Sequence, residues 1–356
     1  NSVYEIFKVD MVWKNKVGES RGLISQQLEG LSRAVSNLAD EIDTDVRFRS
    51  EIEDALLVEL NKAGIKVKEA IVLENKWDKL EVNLFHKSCG SKRCCTNMIE
   101  EVVSKVIGKR MVKQSTDCYS KPGLNSCSLK LVEEEIYKVT TGVARAAKDS
   151  SPISGDNYTF MNAGDGKFVL GLSDGMGSGQ KAANESRASI NLLEQFIEAG
   201  FDKDTTVKLI NSILVLRGND DSFATMDISV VDLHDGCVEF LKVGAAPAFI
   251  KKNGSVEVIR SVSLPAGILN NIEVELVNKK MESGEFLIMT TDGVVDSFSK
   301  DGEDGVKTMQ KFIDEISTVN PQEIADLILK KARSNYGESA LDDITVLVAK
   351  TWRKVG

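Results

Sequence analysis

A chain of 356 residues with 42% hydrophobic content is long enough for two domains with real cores. Its formal net charge of −9 argues against a general binder of nucleic acid or anionic membranes, and the excess of carboxylates suits divalent cations or basic partner surfaces instead. No apolar run approaches the roughly 18 residues that a bilayer crossing needs, no leader pattern opens the chain, and a first residue Asn1 points to a soluble fragment of something longer.

Residues 1 to about 47 read as one long helix. Ile24, Leu28, Leu31, Val35, Leu38 and Ile42 recur at alternating steps of four and three. That is a heptad seam with a narrow apolar stripe, and it requires a helical partner in its own chain or in a second copy. Gly18, Gly22 and Gly30 each cost such a helix about 1 kcal/mol relative to Ala, which leaves its first half marginal alone. From Arg49 to about Lys130 the pattern becomes a small mixed α/β module, with helices over 51–63 and 97–107, strands over 65–74 and 79–85, and loops at Gly90-Ser-Lys92 and Lys121-Pro-Gly123. Nothing in it has catalytic spacing, so regulation or interaction is its expected role. Cys89, Cys94, Cys95, Cys118 and Cys127 all fall here, and only Cys237 lies elsewhere. His86-x2-Cys89-x4-Cys94-Cys95 invites a zinc reading. It matches no standard two-pair knuckle, however, and adjacent cysteines are awkward common ligands, so reduced thiols are expected.

Beyond Ser128 the chain turns strand-rich, and the expected division is a helix over 1–48, a small module over 49–130 and a larger domain over 131–356. Residues 129–147 alternate, a polar loop over 149–157 follows, and Phe168-Val-Leu-Gly-Leu-Ser-Asp174-Gly175 is an apolar strand that ends in an acidic, glycine-rich turn. Two amphipathic helices are expected over about 182–198 and 204–214. Short strands then cover 224–231, 238–243, 249–251 and 257–259, with His234 in an Asp-Gly hairpin turn. Phe286-Leu-Ile-Met-Thr-Thr-Asp292-Gly293 repeats the strand-to-Asp-Gly theme, a helix spans about 321–335, and Asp342-Asp343 opens a last strand. Two histidines leave little material for a histidine-based triad.

Asp156, Asp174, Asp292 and Asp342 each sit at the edge of an expected strand, so a sheet can gather them at one end. Several carboxylates in one small volume cannot all stay ionised without cations, and oxygen-only ligands select Mg²⁺ or Mn²⁺. Gly175 adds a backbone carbonyl that can approach a metal closely.

Ser173-Asp-Gly-Met-Gly-Ser-Gly179, Thr291-Asp-Gly293 and Asp342-Asp-Ile-Thr345 resemble the ordered motifs of the PP2C-like (PPM) metal-dependent serine/threonine phosphatases. Gly155-Asp156 stands in place of the early acidic motif, and Phe223-Ala-Thr-Met-Asp227 and Gly244-Ala-Ala-Pro247 in place of the middle strands. The resemblance covers about 131–350. It implies an α+β fold, a β-sandwich flanked by helices, preceded here by the long helix and the small module. It also implies two Mn²⁺ or Mg²⁺ ions, with Asp174 bridging them, Gly175 giving its carbonyl, Asp292 and Asp342 on one ion and Asp156 on the other. Hydroxide generated between the ions would attack phosphorus. Relatives active in sporulation further imply a phosphoserine substrate on an anti-anti-sigma factor, control by upstream segments, a cell-division protein as a second partner, and a full-length protein anchored in the membrane at the septum. Three departures stand out. Met176 replaces the histidine that serves some relatives as a proposed acid, Gly155 replaces a Glu, and no phosphate-binding arginine is matched. The competing expectation is a catalytically silent scaffold on the same fold.

Overall fold

The structure, a computed structural model, describes residues 47–75, 78–87, 97–121, 124–148, 153–175, 179–199, 203–216, 223–260, 275–299, 304–337 and 342–354, together with 201, 265 and 266. They fall into two compact units that meet between Ile136 and Tyr137. The long helix expected over residues 1 to about 47 lies, through residue 46, outside the described residues.

The smaller unit is an antiparallel sheet with two helices on one face. Its elements are β1 (Arg47–Phe48), α1 (Ser50–Lys62), β2 (Val67–Glu74), β3 (Leu80–Lys87), α2 (Asn97–Ile107), β4 (Met111–Lys121) and β5 (Leu124–Glu133), with sheet order β1-β2-β3-β5-β4. Helix α1 forms because Glu51 and Glu53 complement its amino end, Lys62 its carboxyl end, and Leu56 and Leu60 stack one turn apart on the buried side. Those leucines meet Val72, Val82, Leu84, Ile99, Val103, Leu129 and Leu131 in one core.

Two boundaries differ from the sequence reading. Arg47–Phe48 pairs with β2 as a strand instead of ending a helix. The stretch read as continuous alternation over 129–147 is two strands in different units: β5 stays in the small sheet, so a division at 130 cuts through it. The β4–β5 hairpin was not expected because Met111–Lys121 is a largely polar strand at the sheet edge, with only Met111 buried among its first residues.

The larger unit stacks two five-stranded antiparallel sheets. Its elements continue as β6 (Tyr137–Ala146), β7 (Asp156–Gly164), β8 (Lys167–Asp174), α3 (Gly179–Glu198), α4 (Lys203–Leu216), β9 (Met226–Asp232), β10 (Cys237–Val243), β11 (Ala248–Lys252), β12 (Ser255–Ile259), β13 (Glu275–Lys280), β14 (Phe286–Thr290), α5 (Asp292–Ser297), α6 (Gly305–Glu315), α7 (Pro321–Tyr336) and β15 (Ile344–Arg353). The sheets run β13-β10-β9-β8-β7 and β12-β11-β14-β15-β6. Leu170, Leu172, Val231 and Phe240 of one sheet interdigitate with Ile250, Leu287, Met289 and Leu347 of the other. Helices α3 and α4 cover the first outer face through Ile190, Leu193, Val207 and Ile210, and α5 to α7 cover the second through Val294, Met309, Ile324 and Ile328. Both faces of β14 are therefore buried, Ile288 under helices and Leu287 and Met289 against the opposite sheet, which is why it reads as unbroken apolar sequence. The expected β-sandwich flanked by helices is what the chain adopts. Strand β13 and helices α5 and α6 were not foreseen. Asp292 opens a helix where a plain turn was expected, and His234 does lie in the turn between β9 and β10.

Candidate active site

The carboxylates converge at one end of the sandwich. Asp156 opens β7 and Asp174 closes β8, and the two are direct register partners on neighbouring strands. Asp292 follows β14 as the first residue of α5, and Asp342 precedes β15, the strand paired with β14. Each sheet thus contributes two carboxylates from adjacent strand ends.

Glycines let the backbones close in at this point. A Cβ on Gly175 would lie 2.0 Å from the carbonyl oxygen of Ala182, so α3 crosses directly over the turn. One on Gly293 would lie 2.2 Å from the carbonyl oxygen of Asp343. Neither site can take a larger residue without displacing backbone. Gly175 N–H donates to the Gly155 carbonyl at 3.3 Å, and Thr225 N–H donates to the Asp174 carbonyl at 2.9 Å.

Burial and like charge dominate the electrostatics. Asp156 is 1% exposed; its Oδ2 accepts from Thr291 Oγ1 at 3.0 Å, while its Oδ1 lies near the Thr345 hydroxyl without completing a hydrogen bond of good geometry. Burial first, and then the charges of Asp343 and Asp292, raise its pKa to about 7 against the lowering contacts of the two threonines. Asp174 is pushed to about 9, again by burial first and then by Asp156, Asp292 and Asp342. Asp292 is raised by burial and by Asp342, opposed by the Gly293 N–H that donates to its Oδ1 at 2.7 Å.

In the metal-free chain these groups hold protons in the folded state that the unfolded state releases just above the reference value of 3.8. Stability therefore falls as pH rises from about 4 toward about 9. Thermal unfolding in chelator is expected to show a lower Tm at pH 8.5 than at pH 5.5, with Mn²⁺ reversing the loss at the higher pH. A Tm that rises with pH in chelator would contradict this.

Four residues that the sequence reading left out or underrated shape the site. Thr291 links Asp156 to the opposite sheet, since its Oγ1 also accepts from Thr345 N–H at 3.0 Å. Asp343, read from the sequence only as part of the opening of the last strand, accepts from the backbone N–H groups of Lys148 and Gly155 at 2.9 and 2.7 Å, and so braces the loop before Asp156. Tyr336 donates to the Gly293 carbonyl at 2.6 Å, and burial followed by Asp296, Asp342 and Asp292 pushes its pKa to about 12, which keeps it a neutral donor. Asp227 lines the pocket beside Asp174, Thr225, Gly244 and Asp292, and is paired with Lys242. Thr291 could have been read from its place before Asp-Gly; Tyr336 carried no local signal. Met176 lies outside the described residues.

Among the described residues no three His, Cys, Asp or Glu side chains are drawn into a metal-ligating geometry. Asp156, Asp292 and Asp342 nonetheless lie close enough for their charges to raise the pKa of Asp174. A nearly fully buried Asp156 with an incompletely satisfied oxygen, in an oxygen-only set of like charges, fits hard divalent cations.

Residues 164–352 match the family model described as stage II sporulation protein E (SpoIIE), and residues 1–131 match the one described as SpoIIE, regulatory domain. Stage II sporulation protein E of Priestia megaterium is 34% identical over 97% of this chain and 58% of its own length. That of Bacillus subtilis (strain 168) is 32% identical over 95% of this chain and 40% of its own length. The chain thus spans about half the length of these curated relatives. The solved structure of the PP2C phosphatase domain and a fragment of the regulatory domain of SpoIIE from Bacillus subtilis superposes with a TM-score of 0.76 at 31% identity, over 96% of this chain and 99% of that one. The serine/threonine phosphatase of S. agalactiae shares the fold at 16% identity, with a TM-score of 0.50 over 60% of this chain and 99% of its own.

Proposed function

Because the chain belongs to the stage II sporulation protein E family and carries its metal-dependent, PP2C-type serine/threonine phosphatase domain, we propose that it hydrolyses phosphoserine on a protein substrate, a phosphorylated anti-anti-sigma factor. The observation that carries the reading is the convergence of Asp156, Asp174, Asp292 and Asp342, with Asp174 pushed to about 9 by burial first and then by the other three carboxylates. Two Mn²⁺ or Mg²⁺ ions are assigned there: Asp174 to both, Gly175 through its carbonyl, Asp292 and Asp342 to one, and Asp156 to the other. Bound divalent ions of this kind lower the pKa of water and neutralise charge on a transferring phosphoryl group.

The chain's own residues supply position. Thr291 ties Asp156 to the strand that bears Asp292, so the two sheets hold their carboxylates in fixed relation. Asp343 fixes the loop ahead of Asp156, and Tyr336 fixes the start of α5 at Gly293, next to Asp292. Gly244, Ala245 and Ala246 line the pocket beside Asp174 and Asp292. Leaving-group protonation falls to solvent in this scheme, since Met176 has no proton to give. Phosphate release from a phosphoserine protein, measured with Mn²⁺ and with chelator, tests the reading. Release that depends on Mn²⁺ supports it, and its absence in both conditions favours the silent scaffold.

Regulation is proposed to come from residues 1–46, whose heptad seam demands a partner. Because Arg47–Phe48 belongs to the small sheet, the truncated chain for comparison begins at Thr44. Mn²⁺ titrations of activity are expected to shift by several-fold among the full chain, that truncation and Leu31→Lys. Superimposable curves with one maximal rate would make the segment a tether.

A further inference from the structure

The floor of the pocket carries polar groups that the assigned metal positions do not use. Ala224, Met226 and Ile228 pack into the core under α3 and α4, so the alternate residues Thr225 and Asp227 face the interior between the two sheets. Leu172, the register partner of Asp227 on β8, lies in that interior, and Asp174 follows two residues on along the same face. Thr225 and Asp227 thereby line the pocket together with Asp174, Thr291 and Asp292.

Both side chains have hydrogen-bonding capacity to spare. Asp227 is almost fully buried; its Oδ2 is taken by Lys242, and its Oδ1 has no hydrogen-bond partner among the described residues. An ionised oxygen buried in that state is costly unless something donates to it. Thr225 Oγ1 accepts from the Asp174 N–H at 3.0 Å, while its own hydroxyl hydrogen meets the Asp174 carbonyl only at 3.5 Å, too long for a strong bond. One spare donor and one spare acceptor thus lie two residues apart on one face. The pocket beside them has a cavity volume of about 20 Å³. A single water needs about 10–15 Å³ by the same measure, and polar partners to hold it.

We propose that Thr225 and Asp227 hold a water on the floor of the pocket, and that this water gives a proton to the departing seryl oxygen. The proposal rests on the phosphatase reading and supplies what Met176 lacks, a proton donor fixed in place. The water accepts from the Thr225 hydroxyl and donates one hydrogen to Asp227 Oδ1, which leaves its second hydrogen for the substrate. As the new phosphorus–oxygen bond forms and the bond from phosphorus to the seryl oxygen breaks, the second O–H bond of the water breaks and its proton moves to the seryl oxygen. The hydroxide left behind takes a proton back from solvent. Lys242, on the other oxygen of Asp227, keeps the floor from carrying two uncompensated negative charges. Thr225 and Asp227 act through the water, so both are positioning residues.

The test uses the full chain with Mn²⁺ and compares leaving groups. p-Nitrophenolate departs without a proton near neutral pH, whereas a seryl oxygen needs one. Asp227→Asn keeps an oxygen for Lys242 and turns an NH₂ group toward the water, and Asp227→Leu combined with Lys242→Met removes acceptor and counter-charge together. Each is expected to lower kcat on phosphocasein, a phosphoserine protein, about tenfold or more, and on p-nitrophenyl phosphate far less. Mn²⁺ affinity, measured by calorimetry, should stay within about threefold of the unsubstituted chain, because neither residue is assigned to an ion. Equal losses on the two substrates, no loss on phosphocasein, or Mn²⁺ binding weakened in step with the rate would each overturn the proposal. If neither variant folds, the unsubstituted chain decides: its rates across aryl phosphates of increasing leaving-group basicity should fall only gently, and a steep fall overturns the proposal. Asp174→Asn should lose both substrates, which keeps failure of the metal site distinct from failure of this water. An unsubstituted chain inert toward both substrates would overturn the phosphatase reading, and this proposal with it.

Discussion

Asp174→Asn is expected to cut turnover about a thousandfold or more, a loss of ~4 kcal/mol in transition-state stabilisation, while the fold stands. Burial pushes the pKa of Asp174 up to about 9, and Asp156, Asp292 and Asp342 all add to the push. Removing its charge takes away the group assigned to both ions. In the metal-free chain it also relieves repulsion, so Tm in chelator should equal or exceed that of the unsubstituted chain. Activity at saturating Mn²⁺ and thermal unfolding in chelator separate the two effects. Turnover close to the original would remove Asp174 from the assigned role.

Lys242→Met is expected to destabilise the larger unit by about 3–5 kcal/mol, because it leaves the Asp227 carboxylate buried without its counter-charge. The side chains of Lys242 and Asp227 are 1% and 2% exposed, and the residues face each other across β9 and β10. Burial raises the pKa of Asp227, and the charge and hydrogen bond of Lys242 oppose the rise. The other oxygen of Asp227 has no hydrogen-bond partner among the described residues, so the carboxylate leans on this one contact. Adding Asp227→Leu to Lys242→Met should recover most of the loss, since a well-packed apolar pair can match a buried ion pair in stability. Urea unfolding of the two variants checks this. A single variant as stable as the original, or a double variant no better than the single, would show that the pair is not what holds the floor of the pocket.

Local chemistry carried much of this protein in plain view. Phe286 to Thr290 is apolar on both faces because sheet and helices cover it, and such a run, halted by Asp292-Gly293, is legible without coordinates. The same holds for Phe168 to Gly175, and for the helix over Asn97–Ile107, whose buried Ile99 and Val103 are one turn apart. Strand-end aspartates follow from these boundaries, so all four candidate carboxylates could be named from order and spacing.

What the line of residues could not show depends on pairing between distant segments. The edge strand β4 is polar along much of its length, and only its partner β5 makes it a strand. Asp343 became a brace, not a principal ligand, because its oxygens meet the N–H groups of Lys148 and Gly155, nearly two hundred positions away. Tyr336 reaches the site because α7 returns across the sheet, and Asp227 reaches Lys242 because β9 and β10 form a hairpin with matched register. Hydrophobic periodicity fixes which face of an element is buried. Which polar groups then meet is decided only when strands choose partners, because hydrogen-bond satisfaction and buried charge are properties of the assembled interior.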